Sequence, residues 1–249
     1  MTPRVLLVTG ASRGIGAATA VLAAAQGWDV AVNYVHDRSA ADAVAAAVRT
    51  HGRRAITLQA DVADDEAVTA MFRALDRELG PLAGLVNNAG VVDLAARVDQ
   101  MSAARVHRMF AVNVFGSMAC AREAVRRMST RHGGEGGAIV NLSSAAARIG
   151  APGQYVDYAA SKAAIDTFTL GLAREVAAEG IRVNAVRPGI ILTDIHASGG
   201  EPERAQRLAT QVPMQRAGST EEVAQAIVWL LSPQASYTTG AVLDVTGGR

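Results

Sequence analysis

The sequence predicts an α/β protein in which helices cover both faces of one open, parallel β-sheet. Short runs rich in β-branched residues alternate with longer helical patterns along almost all of the 249 residues. Several of these runs are apolar throughout, as expected for strands that are buried on both faces. Half of the residues are hydrophobic while only 4% are aromatic, and this aliphatic composition is typical of helices packed on a parallel sheet.

The alternation defines seven strands and six helical stretches. We predict strands at 4–9, 29–34, 55–59, 82–87, 138–142, 182–187 and 242–245, and helices near 15–26, 38–51, 64–79, 101–131, 155–179 and 220–231. Strands that alternate with helices are joined by crossovers, which place the strands parallel in one sheet. No linker, repeat or low-complexity segment interrupts the pattern, so we expect a single domain over residues 1–249.

Charge, cysteine content and the length of the apolar runs indicate where in the cell the protein is located and which partners it can bind. The formal net charge is +1, with both signs spread along the chain, so no basic block indicates nucleic-acid binding. The single cysteine, Cys120, lies in an apolar helical stretch and is expected in the core. The apolar run at 5–8 is too short for a signal sequence, and no run reaches membrane-spanning length. We therefore expect a cytoplasmic protein with neither nucleic acid nor membrane as partner.

The first predicted strand runs directly into a glycine-rich turn that precedes a helical pattern. The turn reads Thr9-Gly-Ala-Ser-Arg-Gly-Ile-Gly16. Glycines permit a tight turn and close approach of the backbone to a pyrophosphate, and the free N–H groups of the next helix favour an anion. Its place between the first strand and the first helix matches the dinucleotide fingerprint of a Rossmann fold. The expected cofactor contacts here are Gly10, Ser12, Arg13, Gly14, Ile15 and Gly16.

The end of the second strand indicates which dinucleotide is bound. An acidic residue there usually holds the ribose 2′-hydroxyl of NAD, whereas Asn33 is neutral. Arg13, inside the glycine turn, can form a charge-assisted contact with a 2′-phosphate. We therefore predict NADP(H), with Asn33 and Arg13 among its contacts. Asp37 is close enough in sequence that NAD(H), or acceptance of both cofactors, stays open.

The ends of the third and fourth strands supply further expected cofactor contacts. Asp61 and Val62 follow the third strand and could contact the adenine, and the fourth strand ends in Asn88, Ala89 and Gly90. In open parallel sheets, ligands bind at the carboxyl ends of the strands, near the point where the strand order reverses. We expect these five residues to line that crevice.

A tyrosine and a lysine four residues apart are the predicted acid/base pair. Tyr158 and Lys162 fall in a helical pattern, and their spacing places both on one helix face. Free tyrosine has a pKa of about 10, and an adjacent ammonium is expected to lower it toward the working pH of a general acid/base. Ser144 ends the fifth strand and can hydrogen-bond a substrate oxygen. Asn113 interrupts an apolar helical run and is expected to have a structural or proton-relay role.

Six ordered motifs resemble those of the short-chain dehydrogenase/reductase family, and the resemblance covers the whole chain. They are Thr9-Gly-x-x-x-Gly14-x-Gly16, Asn-Asn-Ala-Gly at 87–90, Asn113, Asn141-x-x-Ser144, Tyr158-x-x-x-Lys162 and Arg187-Pro-Gly189. The similarity is greatest to bacterial 3-oxoacyl-carrier-protein reductases and glucose dehydrogenases. It implies hydride transfer between NADP(H) and a carbonyl or secondary alcohol.

The resemblance implies a role for each matched residue. Ser144 would polarise the substrate carbonyl, with Ser143 as its structural neighbour. Tyr158 would exchange the proton. Lys162 would bind the nicotinamide ribose hydroxyls and lower the pKa of Tyr158, and Asn113 would hold a water that connects Lys162 to solvent. The residues that would border the nicotinamide are Pro188, Gly189, Ile190 and Thr193.

The segment 193–215 is the longest stretch without strong apolar periodicity. Its polar residues and two adjacent glycines suit a mobile lid over the substrate. His196, within it, either contacts a polar substrate or faces solvent. No histidine has a partner at metal-ligand spacing, so we expect no catalytic metal.

The substrate and the macromolecular partners stay open at this stage. A carrier-protein reductase would present basic residues to an acidic partner, and the candidates are Arg97, Arg105, Arg108, Arg126, Arg127 and Arg131. The residues from 237 to the end resemble those of tetrameric family members, which predicts a homotetramer. Two other functions are open: a non-catalytic dinucleotide sensor on the same fold, which commonly lacks the tyrosine or lysine, and an epimerase or dehydratase, whose chains are longer.

Overall fold

Seven parallel strands form the centre of the computed structural model, which describes residues 4–249. The strands are β1 (Arg4–Val8), β2 (Trp28–Tyr34), β3 (Ala55–Gln59), β4 (Leu82–Asn87), β5 (Gly137–Leu142), β6 (Ile181–Pro188) and β7 (Val242–Val245). Their order in the sheet is β3-β2-β1-β4-β5-β6-β7. The order reverses between β1 and β4, because the chain builds outward from β1 to β3 and then resumes on the other side of β1. The predicted Rossmann fold is confirmed.

Helices cover both faces of this sheet. In chain order they are α1 (Gly14–Ala25), α2 (Arg38–Thr50), α3 (Asp65–Glu78), α4 (Ala103–Phe110), α5 (Ser117–Met128), α6 (Ala146–Ile149), α7 (Val156–Val176), α8 (Ile195–Ser198), α9 (Arg204–Leu208) and α10 (Thr220–Leu231). The three shortest, α6, α8 and α9, lie outside the predicted helices. One helical turn is too short to give a periodic apolar pattern. No helix within the described part of the chain is long and apolar enough to cross a membrane.

Alternate side chains of each strand build two separate cores. Within β1, Leu6 and Val8 pack with α1, α2 and α10, whereas Val5 and Leu7 pack with α3, α5 and α7. This double burial explains why the strands are apolar throughout, and each buried aliphatic side chain contributes about 1.5–3 kcal/mol. Cys120 is fully buried in the second core, as predicted.

The predicted helix at 101–131 is divided by a π-helical turn. The chain passes from α4 through this turn, Ala111–Gly116, into α5. A Cβ at Gly116 would lie 2.7 Å from Val62 Cγ2, so glycine allows the helix to approach the end of β3. Asn113 lies within the turn and is fully buried. Such π-turns frequently occur at functional sites.

Candidate active site

The glycine turn after β1 needs its glycines for backbone conformation and for space. Gly10 and Gly14 have φ of +59° and +57°, which L side chains rarely adopt. A Cβ at Gly16 would lie 2.5 Å from Asn88 Nδ2 and 2.7 Å from the Gly10 carbonyl oxygen. The turn and the loop after β4 therefore form one tightly fitted unit.

Thr9 and Asn88 hold this unit together. The Asn88 side-chain amide donates to the carbonyls of Thr9 and Gly10 at 2.8 and 2.9 Å. The Thr9 hydroxyl accepts the backbone N–H groups of Asn88 and Ala89, both at 3.0 Å. Asn88 thus lies where we predicted, but its side chain shapes the turn. The role of Thr9 was not predicted, because its partners come from a distant strand.

The N-terminus of α1 is open. Its N-cap residue, Arg13, makes no side-chain cap, and no acidic residue lies in the first turn. The N–H groups and the positive end of the helix dipole are therefore free to meet an anion. The Arg13 side chain is exposed and makes no hydrogen bond or ion pair with any residue that the structure describes. Ser12, Gly14 and Ile15 are partly exposed at the same helix end.

Asn33 does not lie where we predicted it to act, and the expected cofactor contact is wrong. Its side chain is buried, with 1% exposed. The oxygen accepts from Gly10 N at 3.0 Å, and the amide donates to the carbonyls of Leu58 and Ala60 at 3.2 and 3.0 Å. All of its hydrogen-bonding groups are therefore used inside the fold. Asn33 supports the glycine turn from below, and β2 ends one residue later, at Tyr34.

The other candidate residues at this end of the sheet differ in whether their side chains are available to contact a cofactor. The Asp37 carboxylate caps α2 by accepting from Ala40 N at 2.8 Å. Asp61 is exposed at the end of β3 and accepts from Ala63 N at 3.0 Å. The Val62 side chain is buried in the core, so only its backbone is placed to meet a ligand.

Tyr158 and Lys162 lie on the first half of α7 and share one face, as their spacing predicted. The Lys162 Nζ lies 5.7 Å from the centre of the Tyr158 ring. It donates to the Leu142 carbonyl at 2.6 Å, which fixes the ammonium at the end of β5. A Cβ at Gly90 would lie 3.5 Å from Lys162 Nζ, so the loop after β4 closes over the lysine.

Burial governs the protonation of both groups. It raises the pKa of the Tyr158 phenol, and the hydrogen bond with the Ser144 hydroxyl opposes this shift. Burial also lowers the pKa of Lys162 to about 8, while Asp166 acts in the opposite direction. The pKa of Tyr158 is thus shifted upward rather than downward, and Lys162, whose ammonium is directed at the Leu142 carbonyl, is not among the causes of the shift.

The two serines at the end of β5 have different surroundings. The Ser144 hydroxyl is partly exposed and accepts from Ala146 N at 3.1 Å. Ser143 is buried and its hydroxyl donates to the Lys162 carbonyl at 3.2 Å. Ser144 therefore faces the site, and Ser143 ties β5 to α7.

The Asn113 side chain joins three segments of the site. Its oxygen accepts from Val91 N at 2.8 Å, and its amide donates to the Val91 carbonyl at 3.0 Å and to the Ser161 hydroxyl at 3.1 Å. That hydroxyl in turn donates to the Tyr158 carbonyl at 2.7 Å. The fully engaged side chain therefore links the loop after β4 to α7.

One cavity of about 190 Å³ brings half of the predicted site residues together. They are Ile15, Asn88, Gly90, Ser144, Tyr158, Lys162, Pro188, Gly189, Ile190 and Thr193. The predicted residues that do not line it are the other turn residues, Asn33, Asp61, Val62, Ala89 and Asn113. Within residues 4–249, no three His, Cys, Asp or Glu side chains are arranged to hold a metal ion.

Residues far along the chain complete the cavity wall. Tyr155, Arg204 and Arg249 line it. The Tyr155 hydroxyl donates to Glu201 at 3.2 Å, and Arg204 donates to Glu201 at 3.0 Å and lies 5.2 Å over the Tyr155 ring. The segment around α9 is thereby tied to the start of α7. No sequence pattern pointed to Arg249. The His196 side chain lies outside the described part of the structure.

Comparisons with known proteins agree with this architecture. The family model described as Enoyl-(Acyl carrier protein) reductase matches residues 10–249. The uncharacterized oxidoreductase YgfF of Escherichia coli (strain K12) is 56% identical over 245 residues, covering 98% of this chain and 99% of that protein. The 3-oxoacyl-[acyl-carrier-protein] reductase FabG of Staphylococcus aureus (strain N315) is 38% identical over 244 residues, which are 97% and 96% of the two chains.

A solved structure shows the same fold over nearly the whole chain. The short-chain dehydrogenase/reductase from Serratia marcescens BCRC 10948 superposes with a TM-score of 0.90 at 37% identity, covering 98% of this chain and 97% of that one. The family model and both relatives also span almost all residues. The protein therefore belongs to the short-chain dehydrogenase/reductase family of oxidoreductases.

Proposed function

We propose that this protein is an NADP(H)-dependent enzyme that transfers hydride between nicotinamide and a carbonyl or secondary alcohol, with Tyr158 as general acid/base. One observation carries the proposal. Ser144, Tyr158 and Lys162 converge on a cavity that also reaches Ile15, at the open N-terminus of α1. An acid/base pair and an anion-binding helix end thus share one cavity.

The residues around the glycine turn fit a dinucleotide. The left-handed backbone at Gly10 and Gly14 and the uncapped N–H groups of α1 suit a pyrophosphate. When bound, the cofactor supplies the hydride for the carbonyl carbon. The residues that would hold it, besides Arg13, are Gly10, Ser12, Gly14, Ile15, Gly16, Asp61, the backbone of Val62, Asn88, Ala89, Gly90, Tyr158, Lys162, Pro188, Gly189, Ile190 and Thr193.

Tyr158 is suited to give a proton to the carbonyl oxygen. The raised pKa keeps its phenol protonated at neutral pH, and reduction of a carbonyl to an alcohol requires one proton at oxygen for each hydride at carbon. The Ser144 hydroxyl, which already interacts with the phenol, would donate to the same oxygen.

Lys162 would connect the cofactor to the proton supply. One of its three N–H groups is held by the Leu142 carbonyl, which leaves two for the ribose hydroxyls. A proton lost from Tyr158 would be replaced through Lys162 and a water held at the Asn113 backbone carbonyl. That carbonyl accepts the Ser117 hydroxyl at 3.1 Å.

Two observations support NADP(H) over NAD(H). The exposed Arg13 guanidinium lies beside the open helix end without an intramolecular partner among the described residues. The nearest acidic candidate, Asp37, uses its carboxylate to cap α2, so it is poorly placed to hold a ribose 2′-hydroxyl.

The charge pattern supports a small-molecule substrate over a carrier protein. Arg105 forms a buried pair with Asp157 at 2.8 Å, and four further candidates pair with nearby acids: Arg97 with Asp99, Arg126 and Arg127 with Glu123, and Arg131 with Glu179. Only Arg108 lacks a partner within residues 4–249. A docking surface for an acidic protein would need more unpaired cations.

The segment 193–215 is proposed as the substrate lid. It carries α8 and α9 rather than an irregular loop, and Gly199 and Arg204 line the cavity. The contacts of Glu201 with Tyr155 and Arg204 hold it against the start of α7. Because these contacts are polar and partly exposed, they can break at low cost for substrate entry.

A cytoplasmic location stays a prediction of the sequence.

The proposed activity is tested by mixing the protein with NADPH and a panel of ketones, 3-oxo esters, oxo acids, quinones and sugars. We expect loss of absorbance at the nicotinamide band with at least one carbonyl class, and slower turnover with NADH. A protein that binds NADPH but consumes none with any carbonyl would instead be a dinucleotide sensor.

A further inference from the structure

Three cationic side chains and no acidic one line the described wall of the Tyr158 cavity. The cations are Lys162, Arg204 and Arg249. Lys162 is committed to the Leu142 carbonyl at 2.6 Å, and Arg204 pairs with Glu201 at 3.0 Å. Arg249 differs from both, because its Nη1 is buried and has no hydrogen-bond partner among the described residues.

A buried guanidinium N–H without a partner is unusual in a folded protein. Leaving such a charged donor unsatisfied costs more than leaving a neutral one, so native structures nearly always provide an acceptor. A guanidinium presents its donors as a planar fork that matches a carboxylate. Arg249 also lines the cavity and forms no ion pair with any described residue, so an anion bound in the cavity is the partner expected for its side chain.

The rest of the cavity limits what that anion can belong to. Its wall is largely aliphatic, with Val92, Ile149, Ile191 and Ile195 among the lining residues. The cavity volume is about 190 Å³, and the nicotinamide would occupy part of it. The space left for the substrate suits a short carbon chain.

We infer that Arg249 anchors the carboxylate of the substrate, and that the substrate class is a short oxo acid. This inference rests on the proposed function, because the carbonyl oxygen is placed at Ser144 and Tyr158. Arg249 then sets both the choice of substrate and its orientation, while the aliphatic wall holds the carbon chain between the two polar ends. A neutral ketone or ester would leave the guanidinium unpaired and bind more weakly.

Kinetics with matched acids and esters test this assignment. The probes are 2-oxobutanoate and 3-oxobutanoate, each compared with its methyl ester, at saturating NADPH. Of the two acid and ester pairs, we consider the one that the wild type reduces faster. In that pair, we expect kcat/KM for the acid to exceed kcat/KM for its ester at least tenfold. Arg249→Gln should lower kcat/KM for that acid by about 10- to 100-fold, mainly through KM. It should leave the ester and the KM for NADPH within about twofold, and Arg249→Lys should recover part of the loss.

Arg216→Gln is the matched control. Arg216 and Arg249 line the same neighbouring groove, but Arg216 is exposed, pairs with Glu222 at 2.9 Å and does not line the Tyr158 cavity. Its substitution should leave the acid and ester kinetics within about twofold. A second readout without turnover is calorimetric binding of the two oxo acids to Tyr158→Phe in the presence of NADP, with and without Arg249→Gln.

The outcomes separate this inference from the proposed function. Ester reduction that needs Tyr158, without an acid preference or with equal effects of Arg249→Gln on acid and ester, overturns the inference alone. A raised KM for NADPH in Arg249→Gln at unchanged acid selectivity also overturns it. Acid binding that depends on Arg249 in a protein that reduces no carbonyl supports the anion site and removes the proposed function.

Discussion

The Lys162 ammonium lies in surroundings that favour its neutral form. The residue is 5% exposed, and burial lowers its pKa from 10.5 to about 8. Asp166, one helical turn further along α7, acts in the opposite direction. One Asp166 oxygen pairs with Arg187 at 2.9 Å, and the other is buried without a partner in the described structure. A lysine that titrates near neutral pH can pass protons as well as bind hydroxyls.

Chemical labelling gives a direct measure of this pKa. Lys162 is the only lysine in the chain, so a small amine reagent such as cyanate reports on it alone once peptide masses separate it from the α-amino group. We expect the labelling rate to rise with a midpoint near pH 8, and NADP to protect the residue. Asp166→Asn should move the midpoint lower, whereas the exposed-pair variant Arg97→Gln should not. A midpoint above pH 10 would contradict this electrostatic description.

Arg13 is the residue on which the choice between cofactors depends. Its exposed guanidinium has no intramolecular partner in the described structure, so a 2′-phosphate would gain a charge-assisted hydrogen bond there. Arg13→Ala should raise the KM for NADPH by about 10- to 100-fold and leave the KM for NADH within about twofold. Arg38→Ala is the control, because Arg38 is exposed on α2 and pairs with Asp42. Equal effects of Arg13→Ala on both cofactors would remove its proposed role.

At the scale of elements, the unit formed by the β1–α1 turn and the loop after β4 decides whether a dinucleotide fits. Gly16 has no room for a side chain, since its Cβ would meet Asn88 Nδ2 at 2.5 Å. Asn88 is held by Thr9 and Gly10, so it cannot move without releasing the turn. The cofactor site therefore depends on contacts between two strands that neighbour each other only in the folded sheet.

Two glycine-to-alanine substitutions distinguish the close packing of the glycine turn from the general effect of alanine on helix stability. Gly16→Ala should weaken NADPH binding at least tenfold and destabilise the protein by about 1–3 kcal/mol through overpacking. Gly171→Ala, in α7 with nothing within 4 Å of the added Cβ, should stabilise it by about 1 kcal/mol and leave binding unchanged. Fluorescence titration with NADPH and urea unfolding measure both effects. Unchanged NADPH affinity in Gly16→Ala would contradict the role of the turn.

Sequence periodicity was sufficient for the long elements and insufficient for the short ones. The strands and the long helices are where predicted because two buried cores require apolar residues at regular spacing. The π-turn around Asn113 and the short helices α8 and α9 are set by contacts that no local pattern contains. Asn33 is a second example of a contact that no local pattern contains. Its neutral side chain is predicted to lie at the cofactor ribose, but it hydrogen-bonds the backbones after β3 and in the glycine turn.

At the scale of the whole molecule, four of the ten large exposed apolar side chains in the described structure lie on or beside α5, α7, α10 and β7. Phe115 and Leu170 are exposed on the side of α5 and α7, at 63% and 40%. Trp229 and Leu243 are exposed on α10 and β7, at 43% and 37%. Two separate apolar faces suit the two kinds of two-fold interface in a tetramer of dihedral symmetry. This supports the predicted homotetramer.

Light scattering tests the assembly. The chain has a mass of 25.8 kDa, and the wild type should elute with four times that mass. Phe115→Glu and Trp229→Glu should each reduce it to a dimer, because a buried unpaired charge disrupts one interface only. Leu94→Glu, at an exposed apolar residue beside Gly200 of the segment 193–215, should remain tetrameric. A monomeric wild type would contradict the prediction.

The sequence predicts the site residues that belong to motifs. It does not predict the contacts that residues far apart in the sequence make with them. Tyr158, Lys162 and Ser144 meet as their motifs indicated. The Leu142 carbonyl that holds Lys162, and the Arg249 guanidinium that reaches the cavity, depend on how β5, α7 and the chain beyond β7 pack together. Such long-range contacts leave no spacing signal in one sequence.

Tyr158 is proposed to supply the proton for NADPH-dependent carbonyl reduction. The most direct test compares NADPH oxidation by the wild type, Tyr158→Phe and Tyr155→Phe on one reduced carbonyl, with NADPH affinity measured in parallel. We predict that Tyr158→Phe loses at least about 100-fold in kcat and binds NADPH within about threefold of the wild type. Tyr155→Phe, which loses only the hydrogen bond to Glu201, should retain kcat within about fivefold. Turnover by Tyr158→Phe at the wild-type rate would contradict the assigned mechanism.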